Sequence, residues 1–459
     1  MKKFTVKPKL FRTSQALVGS SEQDSEEWIL LGRLSEAGQL TTIRFDVNKP
    51  HVIAIFGKRG SGKSYTLGTI LESLCTQNPK TTISSISRSQ GGLLFDTLGI
   101  FQWMQVSLGS DSEQEVVRTQ HAVQRGWNLI PEPLDTRIWI PEGTRTDTTP
   151  DWHMDFAVNC SDFTASDWGY LLNLDIYQDR MGQLLNDTYT KVVFEGWQEG
   201  SRHHGAKELY TIEDLISCIK QDSELQESYQ SETRRAVIQQ LTTFRRNPLF
   251  KEHGTTMGEL LQPGKLSVLV MNRMSDELRL VLISALIRRI ISARIEASEI
   301  EKHLKILPQL SAEQRQELKR KAAQTIPPSW IAIDEAQNIL PSERRTTATD
   351  VLIRFVREGR NYGLSFIVAT QQPSAIDQRI LAQVDTIIAH KLTVQGDIDY
   401  VRKNLKSNLP SDVKYSNVQL SFDELMRSLD VGQAFVSDTE TSRGFILEVR
   451  PRVSVHGGF

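Results

Sequence analysis

Val52-Ile-Ala-Ile-Phe-Gly57-Lys-Arg-Gly-Ser-Gly62-Lys63-Ser64 is the stretch on which the reading of the whole chain turns. Five apolar residues predict a strand buried on both faces in a parallel sheet. Four residues then separate Gly57 from Gly62, and Lys63 and Ser64 follow at once, which is P-loop spacing. Glycine is needed here because the backbone must take positive φ and bring its N–H groups against an anion. Leu67, Ile70, Leu71 and Leu74 recur at i, i+3, i+4 and i+7, so a helix over 63–74 is predicted with its N-terminus aimed at phosphate. The expected nucleotide-binding set is Gly57, Lys58, Gly60, Ser61, Gly62, Lys63, Ser64 and Tyr65. Lys63 would reach the β- and γ-phosphates of ATP, and the Ser64 hydroxyl would take a place on Mg²⁺.

Working outward, 459 residues with 39% hydrophobic content are enough for a sizeable core and more than one domain. The 54 Lys and Arg against 56 Asp and Glu leave a formal charge of −2. Nucleic acid would therefore have to bind a local patch and not a global basic field. Cys75, Cys160 and Cys218 are far apart and lack C-x-x-C spacing, which points to a reducing compartment and to neither zinc nor a disulfide framework. The basic start M-K-K-F-T-V-K-P-K-L has no apolar stretch after it, and no run approaches the ~18 to 20 apolar residues that span a bilayer. The expectation is a soluble, cytoplasmic protein.

Before the P-loop, residues 1–27 are polar and read as a flexible or partner-ordered lead-in. Residues 28–34 and 40–47 read as two short strands, a small β-element leaning on the core. Beyond the P-loop helix, Leu93-Leu-Phe-Asp96 is a short strand ending in a carboxylate at the place where open α/β sheets bind ligands; a cap or turn aspartate is the plainer alternative. Residues 105–262 read as mostly helical. Within them His203-His204 read as a solvated pair, not metal ligands, since adjacent side chains point apart and no partner has ligand spacing. Arg234-Arg235 and Arg245-Arg246 fall about three helical turns apart on one side of a helix, open to two readings, phosphate contacts or, more commonly for such pairs, solvated surface charge. Trp152, Trp168 and Trp197 read as packing anchors. Residues 266–271 restore a strand, 278–295 a buried helix, and 296–328 form a charged helical excursion that Pro308 must break and Pro327-Pro328 ends.

Trp330-Ile-Ala-Ile-Asp334-Glu335 supplies a second apolar strand, tipped by two carboxylates. Asp334 is placed to hold Mg²⁺ and Glu335 to polarise a water for attack on the γ-phosphate. A helix with Val351, Leu352, Phe355 and Val356 on its apolar face leads to Arg360, and a third strand, 365–370, ends in Gln371. A polar side chain at that tip suits a γ-phosphate sensor; an ordinary turn glutamine is the plainer alternative, and the position favours the sensor. Arg360, past the end of its helix, is open to two readings, an arginine projecting to a neighbouring subunit or an ordinary C-terminal helix charge.

Taken together these motifs resemble the HerA-type ATPases of the HerA/FtsK superfamily of P-loop motors. The resemblance rests on L-L-G-R-L at 30–34, the P-loop, L-L-F-D-T-L-G-I-F around Asp96, G-K-L-S-V-L-V-M-N-R-M-S-D-E-L-R at 264–279, I-A-I-D-E-A-Q-N-I-L at 331–340, R-E-G-R-N-Y-G-L-S-F-I-V-A-T-Q-Q-P-S from Arg357, and the closing R-P-R-V-S-V-H-G-G at 450–458. It implies a RecA-like α/β core, a mostly parallel sheet flanked by helices, with a mostly helical insertion and a reduced N-terminal β-element. The expected organisation is 1–50 for that element, 51–104 for the first part of the core, 105–262 for the insertion and 263–459 for the second part. For the residues it implies Lys63 and Ser64 on phosphate and Mg²⁺, Asp334 on the metal, Glu335 as water activator, Asp96 as a site carboxylate, Gln371 as sensor and Arg360 as a finger acting in trans. For assembly it implies a homo-hexamer around double-stranded DNA, acting with a nuclease or an anti-phage effector. The rival reading is a nucleotide-driven ring scaffold that regulates a partner enzyme without translocating DNA. Two departures stand out. Residues 1–50 are too few for the family's N-terminal β-barrel, and Arg59 replaces the threonine that follows the first P-loop lysine.

Overall fold

The computed structural model describes residues 10–12, 15–22, 25–35, 41–109, 112–405, 412–415 and 418–458. Its centre is a run of eight parallel strands in the order Thr386–Ala389, Val52–Phe56, Leu364–Thr370, Ser329–Ile333, Gly91–Asp96, Leu266–Val270, Thr136–Pro141 and Met154–Phe156. The P-loop strand is fully buried, as its apolar run requires. Its side chains alternate between two cores: Val52, Ala54 and Phe56 join the larger one, Ile53 and Ile55 the other. The first core is closed by the helices Asp276–Ile306 and Thr347–Glu358 and by the helical segment 165–245. The P-loop helix, Lys63–Leu74, closes the second with Leu67, Ile70 and Leu71. With both faces covered, the P-loop strand and its neighbours Leu364–Thr370, Ser329–Ile333 and Leu266–Val270 are buried along their whole length, as parallel sheets demand.

Three sequence expectations are corrected here. The segment 105–262 is mostly helical between Ala165 and Arg245, broken by a small hairpin of Trp197–Glu199 and Arg202–His204, but Thr-Arg-Ile-Trp-Ile-Pro at 136–141 enters the main sheet beside Leu266–Leu269. The small β-element does not lean on the core; it continues the sheet. Beyond Thr386–Ala389 the order is Gln433–Asp438, Arg443–Val449, Trp28–Leu34, Thr42–Asp46, Gln15–Val18 and Leu10–Arg12. Gly32 permits this, because a Cβ there would fall 2.0 Å from the Glu448 carbonyl oxygen. Part of the predicted lead-in is consequently structured. Gln15–Val18 pairs parallel with Thr42–Asp46 and buries Ala16, Leu17 and Val18, whereas residues 1–9, 13–14 and 23–24 lie outside the described residues.

The charged excursion is a helical hairpin. The helix Asp276–Ile306, apolar and buried between Leu280 and Ile291, runs on into polar sequence. It stops just before Pro308, and Ala312–Gln324 returns with no buried residue. Trp168 and Trp197 are packing anchors as expected, while Trp152 is half exposed. His204 stacks on Trp197 at 3.9 Å and bonds Glu199. Arg245 pairs with Glu213. The three cysteines are buried and unpaired, and among the described residues no helix is long and apolar enough to cross a membrane.

Candidate nucleotide site

The P-loop is moulded by its neighbours at the C-terminal ends of the strands. Gly57 and Lys58 donate their N–H groups to the carbonyls of Thr370 and Lys391. Gly60 and Gly62 take φ of 75° and 109°, a region that side chains with a Cβ avoid. Behind the loop lies the buried His390, whose Nδ1 bonds the Gln433 carbonyl and whose Nε2 bonds Thr66 Oγ1, both at 2.8 Å. A Cβ on Gly57 would fall 2.8 Å from the His390 Cβ, so the glycine is required for this approach. Burial, helped by the Lys63 charge, pulls the His390 pKa down to about 4, and the ring packs under the P-loop as a neutral group.

Strand Ser329–Ile333 delivers Asp334 and Glu335 to the same place. The Lys63 ammonium, itself 4% exposed, lies 2.6 Å from Asp334 Oδ1, 2.9 Å from Glu335 Oε1 and 3.1 Å from Ser64 Oγ. The Ser64 hydroxyl donates to Asp334 Oδ2 at 3.2 Å. Glu335 has φ 53° and ψ 47°, a left-handed conformation that costs a non-glycine residue of order 1 kcal/mol and is found at functional sites. Its carboxylate is held at both oxygens: Gln371 Nε2 donates to Oε1 at 2.7 Å and Gln337 Nε2 to Oε2 at 2.6 Å. Thr370 Oγ1 in turn donates to Gln337 Oε1 at 2.7 Å. Burial pushes the Glu335 carboxyl up, but the Lys63 charge and the two glutamine amides outweigh it and hold it below the usual carboxylate range. It is an anion poised beside a cation.

Gln337 was not singled out in the sequence. The signal was faint, since its reach to Glu335 depends on the left-handed turn at Glu335, which no residue pattern announces. Asp96 lies beside Asp334 on the adjoining strand, but its carboxylate accepts the N–H groups of Gly99, Ile100 and Phe101 at 2.8, 3.2 and 2.8 Å. Burial and the nearby Asp334 charge raise its pKa to about 7 against those three bonds. The geometry is that of a turn-shaping carboxyl next to the site. Arg360 is at the other end of the sheet. It precedes Leu364–Thr370, whereas Gln371 follows that strand, so about 20 Å of strand separates it from its own P-loop. There its guanidinium bonds the Gln383 carbonyl at 2.5 Å and Asp385 at 3.2 Å.

Ser64 Oγ and Asp334 Oδ2 are the hard oxygen donors that Mg²⁺ prefers, and the Lys63 ammonium already bridges Asp334 and Glu335 as a cation. The donor set therefore fits a magnesium ion held by Ser64 and Asp334.

The helix carrying the P-loop is pinned from the far end of the sequence. Glu72, fully buried in that helix, accepts from Arg450 at 2.7 Å, from the Val453 N–H at 3.0 Å and from Ser454 Oγ at 2.8 Å. Arg450 also donates to the carbonyls of Thr69 and Leu30, and Arg452 lies 3.4 Å from Glu72. The closing R-P-R-V-S motif thus locks the P-loop helix against the strand Trp28–Leu34.

A family model described as "Helicase HerA, central domain" matches residues 29–290, more than half of the chain. The chain belongs to this HerA family. A second model, "Zonular occludens toxin (Zot)", matches residues 264–424. Among curated relatives, the DNA double-strand break repair helicase HerA of Pyrococcus furiosus is 24% identical over 238 residues, covering 50% of this chain and 40% of that protein. The protein of the same description from Sulfurisphaera tokodaii is 25% identical over 173 residues, or 38% of this chain and 29% of that one. The chain therefore spans well under half the length of these two HerA relatives. Among solved structures, VirB4 of Thermoanaerobacter pseudethanolicus superposes with a TM-score of 0.52 at 12% identity over 93% of this chain and 97% of that one, a likeness of fold. The expected α/β class and HerA resemblance both hold.

Proposed function

We propose that this HerA-family chain is a Mg²⁺-dependent ATPase of the cytoplasm that assembles as a hexameric ring and translocates double-stranded DNA, acting with a nuclease or another defence effector. The observation that carries the reading is the convergence of Lys63, Ser64, Asp334, Glu335 and Gln371 at the C-terminal ends of three adjacent strands. A binding-only protein has no need of Glu335 held ionised beside Lys63.

In this reading the P-loop N–H groups and Lys63 bind and orient the triphosphate, and Lys63 leaves the two carboxylates to do so. Mg²⁺, when bound, supplies neutralisation of the charge that gathers on the β- and γ-phosphate oxygens. Glu335 takes the proton of the attacking water, while Gln371, in contact with that carboxylate, feels the presence or loss of the γ-phosphate. Asp96 shapes the turn Gly99–Phe101 beside the site. Arg360, too far from its own P-loop, completes the site of a neighbouring subunit.

The deciding experiment is ATPase activity with and without long duplex DNA, across a salt series, beside native mass measurement of the assembly. Expected are a six-subunit mass and DNA stimulation that falls steeply as salt rises. Turnover without any DNA binding or stimulation at low salt, in the assembled state and with the partner present, hands the function to the ring scaffold.

A further inference from the structure

The P-loop opens into a cleft of about 930 Å³ whose far half does not touch phosphate-binding groups. Two segments remote in sequence build most of that half, with Leu98 and Val431 beside them. One is the helix Glu115–Val123 with Trp127 just beyond it; the other is the stretch 448–458. Two glutamines tie them together. Gln120 donates to the His456 carbonyl at 2.9 Å and accepts the His456 N–H at 2.8 Å, and Gln124 donates to the Arg452 carbonyl at 2.6 Å. Since 450–454 is itself locked onto Glu72, the wall is fixed relative to the P-loop.

The lining is apolar where an aqueous surface would be polar. Leu98, Val123 and Val431 are 49%, 60% and 77% exposed, yet all three face into this one cleft together with Trp127 and Pro451. The Trp127 ring is backed by the Arg33 guanidinium 4.2 Å from its centroid, and Arg33 is fixed in turn by a two-pronged bond to Glu448 at 2.7 and 2.9 Å. An aromatic ring steadied this way is a stacking platform.

Two polar side chains of the wall are already occupied. Both oxygens of Glu448 serve Arg33, and both amide atoms of Gln120 serve His456. His456 Nδ1 faces an Arg452 N–H at 3.4 Å, which can only donate. The ring hydrogen is thereby left on Nε2, and a donor there would not separate adenine from guanine, since both carry the N7 acceptor.

From this we infer that the wall of Val123, Trp127, Val431 and Pro451 is the base subsite of the nucleotide cleft, and that it holds a purine by stacking and apolar area without its side chains telling adenine from guanine. ATP and GTP are then both ligands. The inference rests on the P-loop being a nucleotide site, and the test separates the two. Binding of Mg²⁺-bound AMPPNP, GMPPNP and inorganic tripolyphosphate is measured by calorimetry on the wild-type chain and on Trp127→Ala, Val123→Asp and Lys63→Ala. Trp127→Phe serves as the conservative control.

Expected are wild-type affinities for the two nucleotides within tenfold of each other. Trp127→Ala and Val123→Asp should each weaken both by about 5- to 150-fold, the range of base stacking, while tripolyphosphate affinity is unchanged. Trp127→Phe should recover most of the loss. Nucleotide affinity unmoved by both variants, tripolyphosphate weakened as much as nucleotide, a change confined to assembly mass, or discrimination between the purines beyond tenfold overturns the inference. Loss of all three ligands in Lys63→Ala alone leaves the P-loop reading standing through any of these. Failure of the wild-type chain to bind any of the three removes that reading and the subsite with it.

Discussion

Gln337 donates its side-chain amide to the outer oxygen of Glu335 at 2.6 Å, across a backbone turned left-handed at Glu335 itself. The carboxylate is therefore gripped at both oxygens before any substrate arrives. Glu335→Gln should keep nucleotide affinity yet lose about 10² to 10⁴ in turnover, the usual loss for a general base. Lys63→Ala should weaken both. Gln337→Ala should leave affinity alone and lower kcat by up to about 10², because a misplaced base is nearly as costly as a missing one. Separate measurements of Kd and kcat decide it, and a Glu335→Gln chain turning over at the wild-type rate removes Glu335 from the chemistry.

Arg360 makes the next expectation, since about 20 Å of strand separates it from its own Lys63. An arginine stabilising the departing γ-phosphate is worth roughly 10³ to 10⁵ in rate, so Arg360→Ala should bind ATP and scarcely hydrolyse it. Specific activity of the wild-type chain should rise with protein concentration as subunits meet. Mixing Arg360→Ala with Lys63→Ala should return part of the activity, because some interfaces then pair an intact P-loop with an intact arginine. Full activity in a monomer, independent of concentration, defeats the assignment.

A pH dependence of stability follows from His51, buried at the base of the P-loop strand between Asp385 at 3.6 Å and Asp46 at 3.9 Å. Burial alone would lower its pKa, but the two carboxylates raise it to about 9 from 6.5. The proton is held more tightly in the folded chain. Its stabilisation is complete below pH 6.5 and disappears as pH rises through 9, a loss of about 3 kcal/mol. The melting temperature should fall over that window in the wild-type chain, and His51→Gln, although less stable throughout, should show a flatter profile. Equal slopes in the two would exclude His51 as the source.

Removing the Glu72 carboxylate should be among the most damaging single changes in the chain. Arg450 and Arg452 are both fully buried against it, and a buried pair broken from one side costs about 3 to 5 kcal/mol because the remaining charge has no partner. Glu72→Ala should lower the unfolding midpoint accordingly, as followed by denaturant titration. Weakened nucleotide affinity should accompany it, since the P-loop helix loses its anchor.

What could be read without coordinates was whatever is written locally. The P-loop helix was expected over 63–74 and is found at Lys63–Leu74, because a glycine turn and an apolar period of 3.6 lie in one short window. The tips Asp334, Glu335 and Gln371 were likewise visible as polar residues ending apolar strands, and they do meet around Lys63. The strand Thr136–Pro141 was missed because Arg137 interrupts its apolar run and its partner, Leu266–Leu269, lies about 130 residues on. The base wall escaped for the same reason: nothing near Trp127 in sequence foretells Arg33 over its ring or residues 448–458 beside it. Gln337 and the continuity of the N-terminal strands with the sheet depend on backbone geometry that composition does not encode.

The clasp between Glu72 and Arg450 closes over 378 positions of sequence, and a ribosome must respect that order. At about 5 to 20 residues per second, Glu72 waits roughly 20 to 75 s before its arginine has even been made. Through that interval the nascent P-loop helix carries an acidic side chain where its finished surroundings are closed, so docking in its final place would bury a carboxylate without its partner. Synthesis therefore leaves the P-loop helix without its clasp until almost the whole described chain exists, and a stalled or prematurely terminated product carries a P-loop whose helix has no anchor.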